Sequence, residues 1–311
     1  MALTAVTDKD AKLASTPTER PAATTSAGKP SLFSAFKDRS MSSIMRFGVP
    51  PMWPITESAT KLLWSTLTLL GRERILRLLP KPYRDTIFYF QGVDDCVALT
   101  IDDGLVRHGA QASLVEEVRE LLATHNARCT FFVCSKYLVG AAEQAAALVA
   151  DGHELGNHLE EDLNMVYPKL PRDDFSAALR RTTDAIEAVP GAMVRWFRAP
   201  QGYLTESMRA AVADQGLKHA LGDAYCDDWA LAHNAPFAAR TMLKQARPGS
   251  ILIMHMPEKG FREHTFRVLE RVLAGLKDRG LRCVTLSEMS AMVAPTRELR
   301  PSPGAELESR L

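Results

Sequence analysis

The sequence lacks a long apolar run. Nowhere does it approach the roughly 18 consecutive apolar residues that a membrane-spanning helix requires, so no transmembrane helix is expected. It also lacks any CxxC pair. Its five cysteines, Cys96, Cys129, Cys134, Cys226 and Cys283, are an odd number, and four of them lie in or beside short apolar runs, where cysteine behaves as a small buried hydrophobe. That pattern argues against a thiolate zinc site and suits a reducing compartment. Excess charge is missing too: 38 basic against 37 acidic residues leave a formal charge of +1. Such a balance supports neither nucleic-acid binding nor attraction to anionic membranes, and points to neutral or small partners. No GxGxxG follows any β-type run, so a dinucleotide fold has no local support. The N-terminus has no apolar h-region, and Asp8, Asp10 and Glu19 argue against a transit peptide. The expected location is therefore the cytoplasm.

What is present is 46% hydrophobic residues in a chain of 311, enough for a large core. Residues 1–45 read as a disordered segment of scattered Pro, Ser and Thr. Residues 46–93 read as a helical extension packed on the core. Within it, 57–79 carries an apolar helical face that includes Leu62, Leu63, Leu67, Leu70, Ile75, Leu76 and Leu79. Arg72, Arg74 and Arg77 leave interfacial membrane contact as a minor second reading of that helix. From residue 94 to 292 a rhythm sets in, and a polar tail occupies 293–311. Strands are expected at 96–101, 129–134, near 154–155, and at 194–200, 218–222, 250–255 and 281–286. Helices are expected at 112–126, 141–150, 174–189, 205–215, 236–246 and 264–278. About seven alternations favour an α/β fold, a distorted (β/α) barrel of parallel strands, over an open doubly wound sheet.

Active groups of such barrels lie at the C-terminal ends of the strands. There the sequence places Asp102 and Asp103, then His158, Arg198, Asp223, Asp227, Asp228 and Trp229, and finally His255. Adjacent carboxylates leaving one strand point to different sides, so Asp102 and Asp103 can do different work. His158 stands four residues before Asp162, and a helical turn over 158–162 would put both on one face. With Asp103 they would make three ligands and leave a position open, as a catalytic metal needs.

The order TIDDG, GNHxxxD, FRAP, DDW and LIMH resembles the NodB-like polysaccharide deacetylases, carbohydrate esterase family 4, over about residues 94–292. CTFFV, GHELGNH and RCVTLSEM fit as well. The resemblance implies a hydrolase that removes N-acetyl groups from chitin-like glycans with a metal-activated water. It implies Asp102 as general base and His255 as general acid. Arg198 would orient Asp102, and Asp228 would hold His255 and raise its pKa. Asp103 and His158 would be metal ligands. Leu252 would line the acetyl pocket, Trp229 would wall the site, and the Gln201 backbone N–H would face the oxyanion.

The sequence departs from the family pattern at several places, among them an Asp223–Asp228 spacing one residue wider than usual, so that only Asp228 and Trp229 are carried over. Asp162 stands where a second histidine is usual, Leu159 where a threonine or serine is, and Gln201 where an aromatic is. A dication held by Asp103, His158 and Asp162 would have its charge fully cancelled, which implies a less acidic bound water. The implied cofactor is one divalent metal, zinc first, with cobalt, manganese or iron favoured somewhat by the harder ligand set. Two other readings remain. One is a metal-dependent amidohydrolase acting on a small N-acyl substrate or non-sugar imide. The other is a non-catalytic glycan-binding protein on the same scaffold.

Overall fold

The computed structural model describes residues 80–163, 165–226, 228 and 234–293. The expected disordered segment, the 57–79 helix, Asp227, Trp229 and the tail beyond 293 lie outside the described residues. None of the described helices is long and apolar enough to cross a membrane.

Among the described residues, eight strands form one sheet in which every strand pairing is parallel. They are β1 (Cys96–Gly104), β2 (Thr130–Val133), β3 (Glu154–Asn157), β4 (Trp196–Phe197), β5 (Lys218–His219), β6 (Ala224–Tyr225), β7 (Ile251–His255) and β8 (Arg282–Val284). The order β5-β4-β3-β2-β1-β7-β6 curls into a distorted (β/α) barrel. β8 pairs with Cys96–Ala98, just ahead of Thr100, where β2 takes up the pairing. The helices are α1 (Val115–Thr124), α2 (Ala142–Ala150), α3 (Arg172–Glu187), α4 (Glu206–Asp214), α5 (Ala235–Gln245), α6 (His264–Asp278) and α7 (Leu286–Met292). Their apolar faces repeat at helical spacing; in α6, Val268, Leu269, Val272, Leu273 and Leu276 are all buried. Thr205 caps α4 by accepting the Met208 N–H, as its sequence position suggests.

Strand alternation divides the core in two. Val97, Leu99, Ile101, Phe131, Leu155, Phe197, Leu252 and Met254 join the cluster that packs against the helices. Ala98, Phe132, Trp196, Ala220, Ile251 and Val284 form a second cluster on the opposite face. Thr100, Asp102, Arg198 and His255 fall on this second face by the same alternation. The end where the strands begin is sealed by α7, whose start carries a Thr285/Glu288 capping box. There Glu154 accepts from Thr130 Oγ1 (2.8 Å) and from Ser287, and Trp196 Nε1 donates to Ser287 Oγ (2.9 Å).

Residues 87–90 lace the seam between the β5 and β7 sides. Ile87 N donates to His219 O (3.0 Å), Leu221 N donates to Ile87 O (2.9 Å), and Phe90 N donates to Gly249 O (2.8 Å). Gly249 has φ +78°, and a Cβ there would stand 2.0 Å from Phe90 O, so only glycine fits this crossing.

Candidate active site

Asp102 leaves β1 on the inner face, and its Oδ1 accepts a hydrogen bond from Arg198 Nη1 at 2.6 Å. Arg198 is 1% exposed, and four of its five N–H donors have partners. It also donates from Nη1 to Thr100 Oγ1 (2.7 Å), from Nε to Ala220 O (3.0 Å) and from Nη2 to Leu221 O (3.2 Å). Its guanidinium lies 4.1 Å from the centroid of the Phe132 ring. An arginine buried this way cannot rearrange without breaking several bonds, so the orientation of Asp102 is fixed.

Asp103 turns away in the left-handed region (φ 61), which aspartate tolerates better than most residues. Its Oδ2 is paired with Arg262 Nη1 at 2.5 Å. Its Oδ1 is buried with no hydrogen-bond partner and lies 3.6 Å from His158 Nε2. His158 follows β3, and its Nδ1 is 2.8 Å from the Arg198 carbonyl. A carbonyl only accepts, so Nδ1 carries a proton, and Nε2 is the nitrogen turned toward Asp103 Oδ1. Gly156 lets β3 approach this closely, since a Cβ there would come within 2.8 Å of the Phe132 ring.

Residues 158–162 do not form the expected helical turn. Leu159 is left-handed (φ 64), and its N–H bonds to Asn157 Oδ1 (2.8 Å), which ends any helical continuation. Glu160 pairs with Arg181 and Glu161 with Lys136, so both are engaged elsewhere. Asp162 faces Arg107 Nη1 at 3.5 Å, and the same nitrogen lies 3.7 Å from Asp103 Oδ2. Burial and the charge of Asp103 push the Asp162 carboxyl up, against the pull of His158, Arg107 and Arg262. Burial would raise Asp103 also, but Arg262, His158 and His255 hold it below the usual carboxylate range.

The orphaned Oδ1 and the facing Nε2 fit a divalent cation that Asp103 and His158 would hold. Asp162 stands nearby with an arginine between the two carboxylates. Among the described residues no three His, Cys, Asp or Glu side chains close around one point as they stand. Arg107 and Arg262 alter the expected charge balance. The extra carboxylate of Asp162 is offset by two guanidinium groups, so the surroundings of the centre are not simply more negative.

On the far side, at the end of β7, His255 Nδ1 is 2.7 Å from Asp228 Oδ1, and its backbone N–H reaches Asp228 Oδ2 at 2.9 Å. Burial disfavours the imidazolium, but the charge and hydrogen bond of Asp228 outweigh it and raise the His255 pKa. An Asp228→Asn variant should lose the charge and keep the burial. If His255 is the general acid, the proton it would donate is lost as pH rises through its pKa. The alkaline limb of a kcat–pH profile should therefore move to lower pH in Asp228→Asn, with kcat reduced about 100-fold. An unmoved limb would show that another group is the acid.

Leu252 is a correction to the sequence reading. It is 0% exposed and joins the helix-side core, on the opposite face of β7 from His255. It therefore packs the barrel wall and does not line an acetyl pocket. Gln201 sits in the left-handed region (φ 57, ψ 12) of the turn that follows Arg198. Asp223 holds the barrel wall, accepting from Ile251 N (3.1 Å) and Ser250 Oγ (3.2 Å).

Arg107, Arg262, Glu258 and Tyr225 escape sequence reasoning. Glu258 is 2% exposed and ties the β1 loop to the β7 loop. It accepts from Arg107 N (2.5 Å) and faces His108 Nδ1 (2.6 Å). Tyr225 packs edge-on against His255 at 6.4 Å. The two arginines flank Phe261, 5.5 and 4.8 Å from its ring centroid. Only their loops, set at strand ends, could have hinted at a place in the site.

Comparison with known proteins defines the class. Residues 91–220 match the polysaccharide deacetylase family model. A chitooligosaccharide deacetylase of Sinorhizobium fredii is 30% identical over 197 residues, covering 59% of this chain and 86% of that protein. A peptidoglycan deacetylase structure from Bacillus subtilis superposes with TM-score 0.55 at 23% identity, covering 64% of this chain and 91% of that one. A Bacillus anthracis structure described as a pseudoenzyme of carbohydrate esterase family 4 gives TM-score 0.55 at 21% identity, covering 66% and 68%. The chain belongs to the polysaccharide deacetylase family, carbohydrate esterase family 4, hydrolases of the amide bonds of N-acetylated sugars.

Proposed function

We propose that the protein is a metal-dependent deacetylase of N-acetylated glycans of the chitooligosaccharide or peptidoglycan kind. The observation that carries this reading is the Asp102–Asp103 pair, split between a buried arginine and a carboxylate oxygen left free beside His158. Asp103 and His158 would hold one divalent ion, zinc first, with Asp162 as the third candidate ligand. When bound, the ion supplies Lewis acidity to the acyl carbonyl and to a water molecule.

The chain's own residues do the rest. Asp102, fixed by Arg198, accepts the proton of the attacking water. The Gln201 backbone N–H donates to the oxygen on which charge develops. His255 gives its proton to the leaving nitrogen, while Asp228 keeps the ring oriented and charged. Acetate and a free amine result. Gln201 supports a second substrate reading, a smaller N-acyl compound, because no aromatic ring at that position walls a sugar-binding cleft. A purely glycan-binding role would not need a buried arginine on Asp102 and a buried aspartate on His255.

Removing the metal tests the proposal. Acetate release from chitooligosaccharides should stop on exhaustive chelation and return with one equivalent of zinc, cobalt or manganese. Asp162→Ala should weaken the ion's binding by at least about 10- to 100-fold, the scale already seen for losing a partner one shell further out. Acetate release that survives full chelation, or no release from any N-acetylated glycan, would overturn the reading. Unchanged affinity in Asp162→Ala would remove Asp162 from the ligand set.

A further inference from the structure

The turn that carries Gln201 is held by residues that precede the family-matched segment. Gln201 (φ 57) and Gly202 (φ 70) are consecutive left-handed residues. A non-glycine residue there costs about 1 kcal/mol, so the turn keeps its shape only if its surroundings hold it. Tyr83 does so at one end. Its hydroxyl donates to Gly202 O (2.9 Å) and accepts from Leu204 N (3.1 Å). It is 3% exposed, and burial pushes its phenol up to about 12, so the donated proton stays.

Thr86 acts at the other end, through His219. The Ala199 N–H donates to His219 Nε2 (3.4 Å), so Nδ1 carries the proton and donates to Thr86 Oγ1 (2.8 Å). Burial, with the nearby charge of Arg198, pushes His219 down to about 3, so the ring stays neutral and this relay holds across the working pH range. Both ends of the stretch from Ala199 to Leu204 are thus tied to residues 83–86. The chain then continues directly into the 87–90 lacing of the seam.

We infer that Tyr83, seconded by Thr86 through His219, is a positioning residue that aims the Gln201 turn at the acyl group, and that residues 80–93 belong to the catalytic unit. This rests on the deacetylase reading for its kinetic consequence but not for its structural one. Without the Tyr83 hydroxyl, the turn relaxes toward right-handed backbone and the Gln201 N–H loses its aim. Such a loss is felt when charge develops on the acyl oxygen more than when substrate binds.

Tyr83→Phe removes one oxygen and keeps the ring in its pocket. We expect kcat for acetate release to fall about tenfold or more, with KM and metal affinity within about twofold of the wild type. Amide hydrogen exchange at residues 201–204 should quicken about tenfold, with α3 and α6 unchanged. Thr86→Val should give a smaller change of the same kind, and it serves if Tyr83→Phe does not fold. A lowered melting temperature with unchanged kcat and unchanged exchange at 201–204 would overturn the inference. So would a loss confined to KM. If the wild type releases no acetate, the deacetylase reading fails on its own, and the exchange measurement alone decides whether Tyr83 holds the turn.

Discussion

Arg198→Met should cost the fold about 3–5 kcal/mol, the usual result of removing one partner from a buried ion pair. For a domain of this size, that is a fall in melting temperature of about 6 °C or more. The reason is local. Arg198 is buried, and its loss leaves the Asp102 carboxylate and the Ala220 and Leu221 carbonyls without their donor. Methionine fills much of the volume beside Phe132, so the loss is one of charge and hydrogen bonding more than of packing. Arg198→Lys should not rescue, because one ammonium cannot reach Asp102, Thr100 and two carbonyls from a single fixed fork. Activity should fall about 100-fold or more in either variant, since the proposed base, Asp102, loses its orientation. Thermal or urea denaturation reads the first effect and acetate release the second. A melting temperature within about 2 °C of the wild type would show that water reaches Asp102 and that the pair is not the buried anchor described above.

The parts of this structure legible from sequence are those carried by periodicity. The six helices from α1 to α6 and the longer strands have apolar faces repeating at 3.6 or 2 residues, and they fall within a few residues of their expected bounds. Asp102, Asp103, His158, Arg198, Asp228 and His255 were legible because a parallel barrel brings strand ends to one rim. β6 was not, because two residues make no period. The turn after His158 was misread because four-residue spacing implies one face only in a helix, and the left-handed Leu159 breaks that premise.

Leu252 shows the converse error. A motif places it beside the chemistry, yet strict alternation along β7 sends it to the face opposite His255. Arg107 and Arg262 were out of reach for another reason. Their loops meet through Glu258, a contact across 151 positions that no local pattern encodes. Tyr83 is similar: its hydroxyl reaches a carbonyl 119 positions away, from a segment outside every motif.

The proposed function turns on a division of labour between Asp102 and Asp103, which Asp102→Asn separates. Asparagine keeps the size of the side chain and an oxygen for Arg198 Nη1, but it cannot take a proton. Metal affinity, which the proposed function assigns to Asp103 and His158, should therefore stay within about twofold of the wild type, while kcat for acetate release falls about 100- to 10,000-fold, the range for losing a general base. The measurement is acetate released from an N-acetylated chitooligosaccharide by both proteins, each loaded with one equivalent of metal. Full metal occupancy and near-zero turnover are expected in the variant. Undiminished turnover would contradict this division of labour, and so would a variant that loses metal and activity together, since Asp102 would then be a ligand and not the base.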